Sequence, residues 1–256
     1  MVVTFLGTGT SQGVPVINCS CKVCSSMDFR DTRLRTSIHI EVDGKSLVVD
    51  TGPDFRQQVL RERIGDVDAI LFTHEHKDHV AGLDDVRGYN FSLNKSIPVY
   101  ARNTVLDCLQ REFPYIFEPK GYKGAPRIDP VEIRNEKFEV EGLEVTPIEV
   151  SHGNMPVFGF RIKDFVYITD AKTICPEEMD KARNAEVLVI NGLRKEEHPS
   201  HFTLAQALTF IKEVNPKQAY ITHISHMLGR HLEESARLPM GVELAYDGLK
   251  VKIEHA

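Results

Sequence analysis

Apolar residues in this chain come in short clusters, and most of the clusters have the composition of β-strands. Val2 to Leu6 is a β-type run that gives way to Gly7-Thr8-Gly9-Thr10-Ser11-Gln12-Gly13-Val14-Pro15, whose glycines and proline require a turn-rich loop. Ser37 to Val42 and Ser46 to Asp50 read as a hairpin joined by Asp43-Gly44, a favoured tight-turn pair. Asp54 to Arg63 puts Phe55, Val59 and Leu60 at helical spacing, and Asp68 to Thr73 follows as an apolar strand. Further strands are expected at Pro98 to Ala101, Leu143 to Val150, Val157 to Ile162, Phe165 to Thr169, Val187 to Ile190 and Gln218 to Thr222. Amphipathic helices are expected at Val105 to Glu112 and Thr203 to Val214. In the second, Leu204, Ala207, Leu208, Ile211 and Val214 form the apolar face and Thr203 is the N-cap.

No linker or shift in composition divides the 256 residues, so a single domain over 1–256 is expected. The longest apolar stretches, Ala69 to Phe72 and Val187 to Ile190, fall far short of the roughly 20 residues of a membrane span. Met1 to Leu6 lacks the basic region of a signal peptide, and a cytoplasmic location is expected. A formal charge of -6 with mixed signs gives no broad basic surface, so nucleic acid is not expected as a partner.

Five cysteines is an odd number, and three crowd into Cys19-x-Cys21-x-x-Cys24, a spacing suited to thiolate ligation rather than to disulfides. Three soft ligands are one short of the tetrahedral set of structural zinc, and His226 is the natural fourth. Cys108 and Cys175 stand alone and are expected to be buried as small apolar residues.

The densest chemistry is His74-x-His76-x-Asp78-His79, four candidate ligands in six residues directly after a buried-type strand. A loop at a strand's C-terminal end is where layered α/β folds commonly bind ligands. Val80-Ala81-Gly82-Leu83 then reads as the start of a helix packed closely on the sheet. His152 and His223 each terminate a β-type run, so convergence on one sheet edge is expected. Gly7 to Pro15 lacks the ending of a phosphate-binding P-loop, and no glycine-flanked nucleophile elbow stands out.

The His-x-His-x-Asp-His loop followed by a small residue and Gly-Leu resembles the hallmark of the metallo-β-lactamase superfamily, and the resemblance spans essentially the whole chain. It implies an αββα sandwich, two mixed β-sheets flanked by helices. It also implies that His74, His76 and His152 hold one divalent metal, that Asp78, His79 and His223 hold a second, and that Asp170 bridges them. Asp50, in an Asp-x-Gly motif, either orients an imidazole or loop amides of that site or simply forms a turn. Two such ions about 3.5 to 4 Å apart can activate a bridging water and clamp the oxygens of a phosphoryl displacement. Asp78 is a candidate for orienting or deprotonating that water. His201, in a stretch resembling the histidine-plus-helix motif of the phosphodiesterase branch, is the candidate acid for the leaving group, with His198 as competitor.

The cysteine insert after Gly-Thr-Gly-Thr-Ser-x-Gly-Val-Pro, with His-x-x-His at His223 and His226, is similar to the PhnP group of cyclic phosphodiesterases, whose fold resembles that of tRNase Z. Asp84-Asp85-Val86-Arg87 resembles that group locally, which makes Arg87 and Arg35 candidates for contacting substrate phosphate. The reading is therefore a small or cyclic phosphodiester substrate, zinc or manganese at the pair, one structural zinc at the thiolates, and a homodimer by analogy with relatives. The alternatives are a tRNA 3′-processing endonuclease, a thioester or lactone hydrolase on the same metals, and a zinc-storage protein. The tRNA reading needs an exosite, for which Lys120 to Lys123 is a poor substitute.

Overall fold

The computed structural model describes residues 1–118 and 122–254, so Lys120 and Gly121 of the stretch just named lie outside the described residues. The first sheet takes β1 (Val2–Gly7), β2 (Ser37–Val42), β3 (Lys45–Val49), β4 (Ala69–Leu71), β5 (Ile97–Ala101) and β6 (Ile128–Glu132). The second takes β7 (Phe138–Val140), β8 (Leu143–His152), β9 (Met155–Ile162), β10 (Phe165–Ile168), β11 (Val187–Asn191), β12 (Gln218–Thr222) and β13 (Val242–Leu244). A last strand, β14 (Lys250–Lys252), returns to pair with β1. The orders are β14-β1-β2-β3-β4-β5-β6 and β13-β12-β11-β10-β9-β8-β7, each sheet part antiparallel and part parallel.

Strict alternation along the strands builds the layers. Phe5, Leu47, Leu71, Phe160, Tyr167 and Val189 point between the sheets, while their neighbours Leu6, Val48 and Ile70 point out of the first sheet and Ile168, Leu188 and Ile190 out of the second. Both faces are thus apolar, and each outer face is covered. Helices α1 (Phe55–Glu62), α2 (Lys77–Val80), α3 (Arg87–Leu93), α4 (Asn103–Glu112) and α5 (Pro114–Phe117) belong to the first half. Phe55, Val105 and Leu109 pack against the first sheet. Helices α6 (Pro176–Ala182), α7 (Leu204–Val214) and α8 (His231–Ser235) follow in the second half, where Ala182, Ala207, Phe210 and Ile211 cover its sheet. The result is the αββα sandwich expected from the resemblance. Among the described residues no helix is long and apolar enough to cross a membrane.

The local reading of Thr203 holds: its hydroxyl accepts from Gln206 N, and Gln206 answers with a bond to the Thr203 N–H, a reciprocal capping box. Asp43 and Gly44 both have positive φ, as a two-residue hairpin turn needs. Two expectations are corrected. Cys175 is exposed, because it enters α6 in extended conformation just before Pro176; Cys108 is buried as expected. The helix expected to start at Val80 begins earlier, at Lys77, and breaks at Gly82. A Cβ on Gly82 would stand 2.1 Å from the Gly52 carbonyl oxygen, and one on Gly52 would stand 2.2 Å from that of Asp78. The two glycines let the metal-loop backbone press against the chain leaving β3, which no other residue permits.

Candidate metal centre

Every ligand candidate sits just past a strand end at the same end of the sandwich. Asp50 follows β3, His74 to His79 follow β4, His152 ends β8, Asp170 follows β10, His201 lies in the segment after β11 and His223 follows β12. The site therefore draws on both sheets, which corrects the expectation of a single sheet edge. Asp50, Asp170 and His223 have φ of 64°, 59° and 54°, so three site residues hold the left-handed conformation. Such a non-glycine conformation costs about 1–3 kcal/mol and persists where the surroundings enforce it. Here it turns the chain sharply off the strand and aims the side chain into the site.

The ligand atoms form groups in which all members lie within 4.8 Å of one another: His74, His76 and His152; Asp78, His79 and His223; and His74, His79 and Asp170. Asp170 stands between the first two. Its Oδ1 is 3.3 Å from His223 Nε2 and its Oδ2 is 3.4 Å from His79 Nε2. His74 Nε2 and His76 Nδ1 face each other at 3.0 Å. The rear of three of the rings is held separately. His79 Nδ1 donates to Asp50 Oδ2 at 2.7 Å, His152 Nδ1 donates to the Ser200 carbonyl at 2.8 Å, and His74 Nδ1 lies 3.0 Å from Thr73 Oγ1. Asp50 also accepts from the Thr73 amide and hydroxyl, both at 2.9 Å. It combines the positive φ of a turn residue with a hydrogen bond from His79 Nδ1.

Several features fit a cation. His79 Nε2 and His223 Nε2 are buried with no hydrogen-bond partner, and orphaned buried groups of that kind are rare. Burial drives the His74 imidazole well below its usual range, leaving a bare nitrogen. Burial opposes charge on His79 too, but the carboxylates of Asp78, Asp50 and Asp170 overcome it and hold the ring well above the ordinary imidazole range. Burial would likewise raise Asp170, yet His223, His79, His201 and His74 keep it well below the carboxylate range. A proton on His79 is thus the positive charge the three carboxylates demand, and a divalent ion can take its place. Imidazole and carboxylate donors suit zinc, manganese or iron.

His201 lies at the rim of this group. Its Nε2 is 2.9 Å from Asp170 Oδ1, its ring stacks on His223 with centroids 4.8 Å apart, and its Nδ1 meets Ser200 Oγ at 3.1 Å and His198 Nδ1 at 3.0 Å. Burial, partly offset by Asp170, pushes it down to about 4. His198 stands behind His201, away from Asp170, so the two histidines are in series.

Around His226 Nδ1 the sulfurs of Cys19, Cys21 and Cys24 lie at 3.3, 3.4 and 3.4 Å. A tetrahedral zinc with Zn–S about 2.3 Å and Zn–N about 2.0 Å would set such atoms about 3.5 Å apart. The near-equal distances are what that geometry requires. The Cys24 amide donates to the Cys21 sulfur at 3.4 Å and, against burial, draws that thiol down to about 6.

Two candidates are not brought to the centre. Arg35 donates to the Ser11 carbonyl at 3.0 Å and pairs with Asp54 at 3.3 Å, tying the glycine-rich loop to the start of α1. Arg87 pairs with Asp84 and lines a cavity between α1 and α3 with Arg56 and Tyr89. Both have carboxylate partners in this arrangement. Thr73 and Ser200 were missed; a hydroxyl immediately before a histidine was the only available signal.

Residues 45–224 match a family model described as a beta-lactamase superfamily domain. A solved structure of a diphosphatase from the PhnP family is 39% identical, covering 99% of this chain and 98% of that one with a TM-score of 0.93. The zinc-bound PqqB of Methylobacterium extorquens, 21% identical over 99% of this chain and 100% of that chain, shares the fold with a TM-score of 0.81. An octanoyltransferase of Porphyromonas gingivalis is 40% identical over 252 residues, 97% of this chain and 51% of that protein. The chain spans about half the length of the curated relatives it matches.

Proposed function

We propose that this chain, a metallo-β-lactamase-fold member of the PhnP family, is a hydrolase and, within that class, a phosphodiesterase acting on small or cyclic phosphodiesters. In this reading residues 1–256 work as one domain with a zinc-bearing insert near 19–24. His74, His76 and His152 hold one divalent ion, Asp78, His79 and His223 the other, and Asp170 spans both. Zinc or manganese is the expected pair, and Cys19, Cys21, Cys24 and His226 hold the structural zinc. When bound, the ions supply Lewis acidity at a phosphoryl oxygen and make a water nucleophilic near neutral pH.

The observation that carries the reading is the His201 Nε2 contact of 2.9 Å with Asp170 Oδ1. It holds His201 at the edge of the ligand group, where the charged ring can give its Nε2 proton to a departing alkoxide and return to neutral imidazole. His201 Nδ1 faces His198 Nδ1 at 3.0 Å and Ser200 Oγ at 3.1 Å. In this reading Asp78, 3.3 Å from His79 Nε2 and 3.7 Å from His223 Nε2, orients the attacking water. A second reading, hydrolysis of a diphosphate linkage, is favoured by the 39% identity to a PhnP-family diphosphatase. Both reactions ask the residues for the same acid.

The test is turnover of bis(p-nitrophenyl) phosphate, a 2′,3′-cyclic nucleotide, a nucleoside diphosphate ester, a thioester and a precursor tRNA, with metal content measured on the same sample. Hydrolysis of the small phosphodiesters is expected. Activity confined to the diphosphate supports the second reading, and activity confined to the tRNA or the thioester refutes both.

A further inference from the structure

Asp50 reaches two of the candidate ligands by different routes. It accepts directly from His79 Nδ1 at 2.7 Å. It also accepts from the Thr73 amide and Oγ1 at 2.9 Å each, and that same Oγ1 lies 3.0 Å from His74 Nδ1. Thr73 Oγ1 is 3.4 Å from His79 Nδ1, farther than Asp50, so His79 belongs to the carboxylate and His74 to the hydroxyl. Thr73 is 2% exposed, and Asp50 and His74 are 0% exposed, so solvent supplies no substitute.

With Asp50 ionised, the state favoured by the three donors that converge on it, the proton count has one solution. A hydroxyl has a single proton, and a carboxylate only accepts. With that proton given to Asp50, Thr73 Oγ1 meets His74 with a lone pair, so His74 Nδ1 carries the hydrogen. Its Nε2, which faces His76 Nδ1 at 3.0 Å, is left bare towards the site. The four rings with mapped surroundings are treated unequally: His79 is fixed by a carboxylate, His152 by a carbonyl, His74 by a relayed hydroxyl, while His223 Nδ1 has no partner.

We infer that Thr73 is a positioning residue for the metal pair, its hydroxyl relaying the orienting effect of Asp50 to His74 and so to the group His74, His76 and His152. One buried carboxylate thereby sets a ring in each half of the pair. This rests on the reading of those histidines as metal ligands.

The test is zinc titration of the metal-stripped protein against a competing chelator, for the wild type, Thr73→Val and Thr73→Ser. Loss of an outer partner of a ligating histidine weakens metal binding about 10–100-fold. Thr73→Val is expected to weaken one of the two zinc ions of the pair by that factor and to leave the other and the cysteine zinc in place, while Thr73→Ser binds as the wild type does. Thr73→Ala against Thr73→Ser, which differ by the hydroxyl alone, should show the same separation even where valine disturbs packing. Unchanged affinity on loss of the hydroxyl, or equal weakening in the serine variant, overturns the relay alone. A wild type that takes up only the cysteine zinc overturns the metal pair and the relay together.

Discussion

His201→Ala separates an acid from a ligand. The substitution removes the imidazole that stands nearest Asp170 among the described residues, 2.9 Å from Oδ1. Asp170 keeps the Thr169 hydroxyl at 2.6 Å, His223 Nε2 at 3.3 Å and His79 Nε2 at 3.4 Å, so its place in the ligand group survives. A hydrogen bond to a charged group contributes about 1.5–3 kcal/mol, and removing a buried imidazole recovers part of its desolvation, so the variant should stay folded. Loss of a positioned general acid slows turnover about 10²- to 10⁴-fold, equivalent to about 3–5 kcal/mol of barrier. The size of the loss must depend on the leaving group. A nitrophenolate departs without a proton, whereas the ribose alkoxide of a cyclic nucleotide needs one. The assay compares kcat/KM of wild type and variant on both substrates, with metal content in parallel. The expected result is a much larger drop on the cyclic nucleotide at unchanged metal content. Equal drops on both substrates, or a lost metal ion, would refute the assignment.

Cys21→Ser should remove about one zinc by elemental analysis and lower the melting temperature, because that ion organises the insert; an unchanged zinc count refutes the thiolate site. Gly82→Ala drives a Cβ to within 2.1 Å of the Gly52 carbonyl and 2.9 Å of Phe55 Cβ, and should destabilise by about 1–3 kcal/mol or more in denaturant melts. Burial beside Arg33 holds His231 down at about 4, so between pH 4 and 6.5 the unfolded chain binds more protons there and stability falls as pH falls. His231→Gln retains an acceptor for Arg33, which donates to His231 Nδ1 at 3.2 Å, and should flatten that part of the melting-temperature profile.

The features legible in the sequence are those whose parts lie close together along the chain. Four candidate ligands within six residues, three cysteines within six, the Thr203 N-cap and the apolar strand runs each report a local geometry, and the structure brings the donors of the first two together and caps α7 at Thr203. Strands β13 and β14, three residues each, are too short for any period to register. β6 contains Pro130 and polar residues, tolerable because the strand forms a sheet edge. The isolated histidines His152 and His223 were marked locally only by ending β-type runs, and their ligand roles came from the family pattern.

Tertiary structure decided what depends on partners far along the chain. It paired Arg35 with Asp54, set His201 in front of His198 against Asp170, and closed Cys19 on His226 across 207 positions. It also imposed the left-handed turns at Asp50, Asp170 and His223, residue types that tolerate this conformation better than most but adopt it in only a minority of cases. The physical reason is common to all of these. Local spacing fixes which donors a segment can offer, but hydrogen-bond direction, burial and charge balance are properties of the space where two sheets meet.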